Sequence, residues 1–287
     1  MAVTTEIKSY VNSLLRHINI KVDSLTAERS EAARLNNLNQ TGHFERAIFP
    51  SYPDFDSRNV LSLLQELQLY KTRFDDFEDI GRNDVRYTFH NEYFASPDAE
   101  ILYAIIRKVS PRSVVEVGSG YSTKIIRQAI LDGGLKTTLI SVDPQPRTGV
   151  EQFSDTLHRK PVETLGGSGL FESLKKDDIV FIDSSHEVKT GNDVIFLYLN
   201  VLPGLQPGVL VHIHDVFLPY DYPQEWVIDE KREWNEQYLV QALLTFSSGF
   251  DVLWPGYFLQ RTMPGFPQHF PHLNGNTAKS LWLMKKA

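Results

Sequence analysis

Two short stretches of this chain put acid, hydroxyl and imidazole groups at the ends of apolar runs: Asp183-Ser184-Ser185-His186 and His212-Ile213-His214-Asp215. Runs such as Ile179–Ile182 and Val209–Val211 read as buried strands, so the polar groups fall where strands stop. Alternate residues of a strand share a face, so His212 and His214 point the same way if the strand continues, with Asp215 at its end. Two chemistries follow. A histidine titrates near neutrality and can take a proton as general base, which makes His186 and His214 candidates. Alternatively Asp183 and Asp215 ligate a divalent cation, Mg or similar, that lowers the pKa of a bound hydroxyl. The plain roles stand beside these: His186 as a hydrogen-bonding cap after its strand, His212 as a residue buried within one.

A second cluster lies upstream, where a β-branched run ends in Glu116-Val117-Gly118-Ser119-Gly120-Tyr121-Ser122-Thr123. Two glycines allow a tight turn and close approach of a ligand to the backbone. A dinucleotide fingerprint would carry a third glycine at position 123; Thr123 stands there, which argues against NAD or FAD. Glu116 would repel a pyrophosphate but suits a ligand bearing an ammonium and a sulfonium. Asp143 ends the next strand, in ISVDP, where an acid can accept both hydroxyls of a ribose. A nucleoside with cationic groups and no phosphate fits both carboxylates.

The elements that must position these groups alternate from about residue 97 onward. PDAEILYAIIRKV is an amphipathic helix with Pro97 near its start. SVVEVGSG, TTLISVDP, HRKPVETLG, DDIVFIDSSH and GVLVHIHDV each supply a strand. YSTKIIRQAILDG and NDVIFLYLNVLPGL are helices closed by Gly or Pro. EWNEQYLVQALLTF reads as a helix, FDVLWPGYFLQ and SLWLMKK as strands, and RTMPGFPQHFPHLNGNTAK as loop. Strand–helix alternation with uninterrupted apolar strands predicts an α/β fold, a doubly wound Rossmann-like, mostly parallel sheet. Ahead of it, residues 1–90 form a helical extension with Val11, Leu14, Leu15, Ile18, Val22 and Leu25 at helical spacing. A polar stretch follows at Asn36–Gln40, then a loop, FPSYPDFDSRN, then a helix starting at Asn59 or Ser62. The expected division is residues 1–90, serving as lid, packing or dimerisation element, and a ligand-binding domain over 91–287.

The motifs VVEVGSGYST, ISVDP, DDIVFIDSSH and GVLVHIHDV, in that order and spacing, resemble the successive motifs of class I S-adenosylmethionine-dependent methyltransferases. The resemblance covers residues 90–217. It implies that Glu116, Gly118, Ser119 and Gly120, with Tyr121 and Ser122 after them, hold the methionine end of that cofactor. Asp143 would hold the ribose, Pro144 would lie near the adenine, and Asp183 to His186 would border the reacting methyl. Asn91, in Asn91-Glu92-Tyr93-Phe94, is placed to cover the methionine end. Tyr220, Tyr222 and Trp226 could line an acceptor site. The similar metal-dependent catechol-type O-methyltransferases place aspartates at the ends of the same two strands and follow the second with asparagine; here Val216 stands there.

Composition bounds the rest. The 287 residues carry 41% hydrophobic and 23% charged side chains and a net charge of −7. That acidity gives no footprint for nucleic acid or an anionic membrane. There is no cysteine, so thiolate chemistry, disulfides and Cys-type zinc sites are excluded. No signal-peptide pattern or membrane-spanning run is visible, so the expected location is cytoplasmic. The expected activity is methyl transfer, most simply to oxygen, from S-adenosylmethionine to a small-molecule acceptor such as a sugar or natural-product scaffold, in a monomer or homodimer. Two alternatives use the same fold: an iron-dependent hydroxylase, and a non-catalytic member that binds a protein partner.

Overall fold

The uninterrupted Val, Ile and Leu runs become the strands at the centre of the molecule. The computed structural model describes residues 2–50, 57–79, 86–147 and 149–287. Its seven strands are β1 (Ser113–Val117), β2 (Thr138–Val142), β3 (Thr156–His158), β4 (Ile179–Ile182), β5 (Leu210–Ile213), β6 (Phe250–Pro255) and β7 (Leu281–Lys285). They form one sheet in the order β3-β2-β1-β4-β5-β7-β6. β1 to β5 run parallel, whereas β7 lies antiparallel between β5 and β6. The order reverses between β1 and β4, the switch point at which α/β sheets bind ligands beyond the strand carboxyl ends.

The chain divides into two compact units. The smaller comprises residues 1–46 and 223–232 and holds α1 (Ala2–Leu15) and α2 (Thr26–Gln40). The larger, residues 47–222 and 233–287, holds the sheet and the helices α3 (Ser57–Gln68), α4 (Lys71–Asp79), α5 (Asp98–Val109) and α6 (Tyr121–Gly133). After β4 come α7 (Asp193–Phe196), a π turn at Leu197–Val201 and α8 (Leu202–Gly204), which continue one another. α9 (Glu236–Phe246) precedes β6; α10 (Gly256–Thr262) and α11 (Phe266–His269) follow it.

Side-chain alternation in the strands splits the interior into two apolar layers. Val114, Ile179 and Phe181 point into a layer with α3, α5 and α6, to which α3 contributes Val60, Leu63, Leu64 and Leu67 at helical spacing. Val115, Val117, Val180 and Ile182 point the other way, against Val194, Leu197 and Leu202 of α7–α8 and Val240 and Leu244 of α9. A helix cover on both faces explains why these strands lack the polar alternation of a half-exposed sheet.

Several expectations need correction. The third strand is Thr156–His158, which shares only His158 with HRKPVETLG, and Val162–Leu165 of that segment is a 3₁₀ turn. FDVLWPGYFLQ is strand only to Pro255, and Gly256 opens α10. The loop predicted after it contains the short α11. The first helix ends at Leu15 with a 3₁₀ turn to Ile18, so Val22 and Leu25 lie beyond it, and Asn36–Gln40 is the end of α2 rather than a polar break. α3 starts at Ser57, and α4 follows it where no helix was expected. Of the predicted loop FPSYPDFDSRN, residues 51–56 lie outside the described residues. The chain passes from one compact unit to the other between residues 46 and 47, and α3 and α4 fall in the unit that holds the sheet.

Candidate functional site

The turn after β1 is tied directly to the strands on either side. Gly118 N–H donates to the Val142 carbonyl at the end of β2, and Asp183 N–H, after β4, donates to the Val117 carbonyl. Gly118 has φ +84°, and a Cβ there would sit 1.8 Å from the Asp183 carbonyl oxygen. This position therefore requires glycine both for its backbone conformation and for the close approach of the two strand ends.

Glu116 points into the layer below the turn and is completely buried. Its carboxylate accepts from Ser122 Oγ (2.7 Å), Thr123 Oγ1 (2.8 Å) and Ser141 Oγ (2.7 Å), so β1, β2 and the start of α6 are bolted to one side chain. Burial pushes its pKa up to about 7 against the pull of those three hydroxyls. Thr123 Oγ1 also accepts from Gly120 N–H at 2.9 Å. The residue that replaces a third glycine is thus a cap and a brace. Both oxygens of Glu116, and the Ser122 hydroxyl with them, are engaged inside the fold, whereas the sequence assigned them to ligand contact.

Asp143, half-buried after β2, accepts at Oδ2 from Ser119 N–H (2.9 Å) and Ser119 Oγ (2.7 Å), and at Oδ1 from Gln145 N–H (2.8 Å). Pro144 beside it is exposed. Asn91 shapes its own loop: Oδ1 accepts from the Tyr93 and Phe94 amides, and Nδ2 donates to the Thr88 and Phe94 carbonyls. Its amide is used in presenting Tyr93, whose ring stacks on Tyr121 with centroids 5.9 Å apart.

At the ends of β4 and β5 the predicted residues do converge. His186 is 5% exposed, and its Nε2 lies 3.2 Å from Asp183 Oδ1 and 3.6 Å from Asp215 Oδ2. Its Nδ1 is 2.9 Å from Glu236 Oε2, and its ring packs on Trp234 at 4.2 Å. Burial disfavours a charged ring, but hydrogen bonds to Asp183 and Glu236 outweigh it and hold the pKa well above 6.5. Burial likewise works to raise Asp183, yet His214 and His186 beside it hold its carboxyl below the usual range. His186 and Asp215 both adopt left-handed backbone conformations, φ +59° and +56°. Such conformations are uncommon for residues with side chains and concentrate at functional sites.

The two strand histidines share a face as expected, with ring centroids 5.5 Å apart. His212 lies flat on Phe181 (4.0 Å), with Nε2 2.9 Å from Ser280 Oγ; burial and then His214 push its pKa well down. That is a core role. His214 is also buried, but among the described residues neither ring nitrogen has a hydrogen-bond partner, and Nε2 stands 3.9 Å from Asp215 Oδ1. Tyr222 is buried, its hydroxyl accepting from Gln237 N–H at 3.0 Å, and Tyr220 meets Tyr257 edge-on. Trp226 belongs to the smaller unit, where Arg232 covers its ring at 3.9 Å.

The donor set suits a divalent cation. One ligand atom each from Asp183, His186 and Asp215 lie within 4.8 Å of one another. Among the described residues Asp215 Oδ1 is buried with no hydrogen-bond partner, its charge met by the ion pair with Lys279 Nζ at 3.5 Å, and Glu236 backs the far nitrogen of His186 as carboxylates do behind metal-bound histidines. The sequence reading gave Asp183 and Asp215 to the metal and His186 to proton transfer; the structure brings all three together. It also adds residues that reading missed. Glu236 opens α9 and Trp234 lies just ahead of it, and Lys279 reaches Asp215 Oδ1 at 3.5 Å from the approach to β7. Glu236 sits in REWNE, where a charged residue reads as a solvated helix start; its 2% exposure is visible only once α9 is packed.

Residues 115–216 match the family described as a methyltransferase domain. Among solved structures the chain is similar to a Podospora anserina methyltransferase with S-adenosylhomocysteine bound, at 16% identity, TM-score 0.42, covering 93% of this chain and 98% of that one. It is similar also to an O-methyltransferase from Bacillus cereus in complex with S-adenosylhomocysteine, at 14% identity, TM-score 0.40, covering 89% and 97%. No curated protein matches. Among the described residues no helix is long and apolar enough to cross a membrane.

Proposed function

We propose that this chain, with its methyltransferase domain over 115–216, transfers a methyl group from S-adenosylmethionine to an oxygen of a small hydroxylated metabolite. The observation that carries the reading is the pair of acids at the switch point. Asp143 and Asp183 end β2 and β4 on either side of the Gly118 turn, with no phosphate-binding glycine at position 123.

When bound, the cofactor supplies a methyl carbon already activated by its sulfonium, leaving the protein to align the partners and remove a proton. Asp143 would receive the ribose hydroxyls by exchanging its bonds to Ser119. Gly118 and Gly120 leave the backbone bare where the methionine end would pass. Glu116 acts one layer down, fixing the turn. The acceptor would meet the methyl beside Asp183 and His186. As its oxygen bonds to the methyl carbon, the methyl–sulfur bond breaks to leave the neutral thioether and the proton would go to His214 Nε2, because His186 already holds a proton between Asp183 and Glu236. Asp183, His186 and Asp215 would hold a divalent cation, which would acidify the acceptor hydroxyl; in that case His186 is a ligand and His214 the base. A second reading rests on the same triad: imidazole and carboxylate ligands also suit iron in an oxygen-dependent hydroxylase.

Calorimetric titration of the full chain with S-adenosylmethionine and S-adenosylhomocysteine tests the reading, with Asp143→Ala as control. Binding lost in the variant is expected. A wild-type protein that binds neither ligand overturns the reading, and oxygen-dependent turnover without methyl transfer would favour the second. Comparing methyl incorporation into hydroxylated acceptors before and after EDTA separates the metal from the metal-free route.

A further inference from the structure

In the proposed complex Asp143 serves the ribose and Asp183 borders the reacting methyl, whereas the methionine carboxylate needs a cation. Arg147 lies over the turn. Its Cδ and Nε would be 3.7 Å from a Cβ on Gly120, so the side chain passes directly above that residue. Its guanidinium lies 3.7 Å from the centroid of the Tyr93 ring, which in turn stacks on Tyr121 at an interplanar angle of 16°. Arg147 and Tyr93 are both exposed, the ring by 52%. Among the described residues no carboxylate lies within ion-pair reach of Arg147, whereas Arg127 and Arg159 nearby have partners in Asp155 and Glu151.

Resting on the proposed cofactor, we propose that Arg147, held flat by Tyr93, is the counter-ion of the methionine carboxylate and makes the site select ligands that carry one. A guanidinium stacked on an aromatic face keeps its edge N–H groups free and loses little freedom when it grips a carboxylate. The arrangement explains why Asn91 spends both ends of its amide on the loop that presents Tyr93. It also explains why position 120 is bare: a side chain there would stand between the arginine and the ligand. Arg147 joins the loop after β2 to the loop before α5.

The test compares S-adenosylmethionine with decarboxylated S-adenosylmethionine, which keeps the ammonium and sulfonium and lacks only the carboxylate. Both are titrated into the wild-type chain, Arg147→Ala and Arg147→Lys. The wild type should prefer the carboxylate ligand by about 10-fold or more, as expected for a charge-assisted pair. Arg147→Ala should bind the two equally, and Arg147→Lys should fall between. Arg147→Ala keeping the wild-type preference, or weakening both ligands by the same factor, overturns the proposal while the cofactor reading stands. A wild type that binds neither overturns both. Unchanged unfolding midpoints, expected for an exposed side chain, show that the variants remain folded.

Discussion

Gly118 and Gly120 are two residues apart and differ completely in what they tolerate. At Gly118 an added Cβ meets the Asp183 carbonyl oxygen at 1.8 Å in a left-handed backbone conformation, so β1 and β4 would have to part. Gly118→Ala is expected to destabilise the fold by more than about 3 kcal/mol, seen as a large fall in unfolding midpoint or loss of soluble protein. Gly120 has an extended φ of 177° and nothing nearer than Arg147. Gly120→Ala should stay within about 1 kcal/mol of wild type while weakening binding of the proposed cofactor, S-adenosylmethionine. Equal destabilisation of the two would contradict this account. Glu100 makes a separate prediction. Completely enclosed on α5, with one oxygen on Ser96 Oγ at 2.8 Å, it is pushed by burial to a pKa of about 8, with Asp98 and Glu78 adding to the rise. An unfolded glutamate loses its proton near pH 4.5 and the folded one near 8, so stability falls as pH rises between those values and levels off above. Glu100→Gln, which cannot ionise, should flatten that decline in a pH series of unfolding midpoints and be the more stable form at pH 8.

At the scale of elements, the site depends on a bracket between the loop after β4 and the start of α9. The His186 carbonyl accepts from the Asn235 and Glu236 amides at 3.0 and 3.1 Å, and Val188 N–H donates to Asn235 Oδ1. Asn235→Ala removes one member of the bracket without touching the His186 ring. Amide exchange at Val188 should quicken about 10-fold or more, the equivalent of one hydrogen bond, while amides within β1 and β4 keep their rates. Equal quickening throughout would mean that the loop opens only with the whole domain. This bracket marks the limit of what the sequence showed. β1, β2, β4 and β5 were legible because burial on both faces demands unbroken apolar runs. The residues at their ends were legible because a strand must stop where its polar groups begin. β3 was misplaced because a three-residue edge strand has too few side chains to set a pattern. Glu236 was missed because an acid at a helix start looks the same whether it faces water or a histidine 50 residues away.

For the molecule as a whole, the segment that matches a methyltransferase domain ends at residue 216, yet the sheet is completed by the last residues of the chain. β7 enters antiparallel between β5 and β6, pairing His212 with Trp282 on one side and Val252 with Leu283 on the other. Asp98, at the start of α5, accepts from the Lys279 and Ser280 amides and so anchors the approach to β7 to a helix that precedes β1. Leu281, Trp282 and Leu283 are at most 1% exposed. Burying side chains of this size contributes about 2 kcal/mol each, a sum comparable with the net stability of a typical domain. Removing residues 281–287 also strips β5 of one neighbour and leaves β6 unpaired. The larger unit should then lose its cooperative unfolding transition and its near-ultraviolet circular dichroism, although every residue of the 115–216 segment remains. A truncated chain that still unfolds cooperatively and binds S-adenosylhomocysteine would show that the five parallel strands suffice, and that β6 and β7 serve only to bring Ser280 and Lys279 to His212 and Asp215.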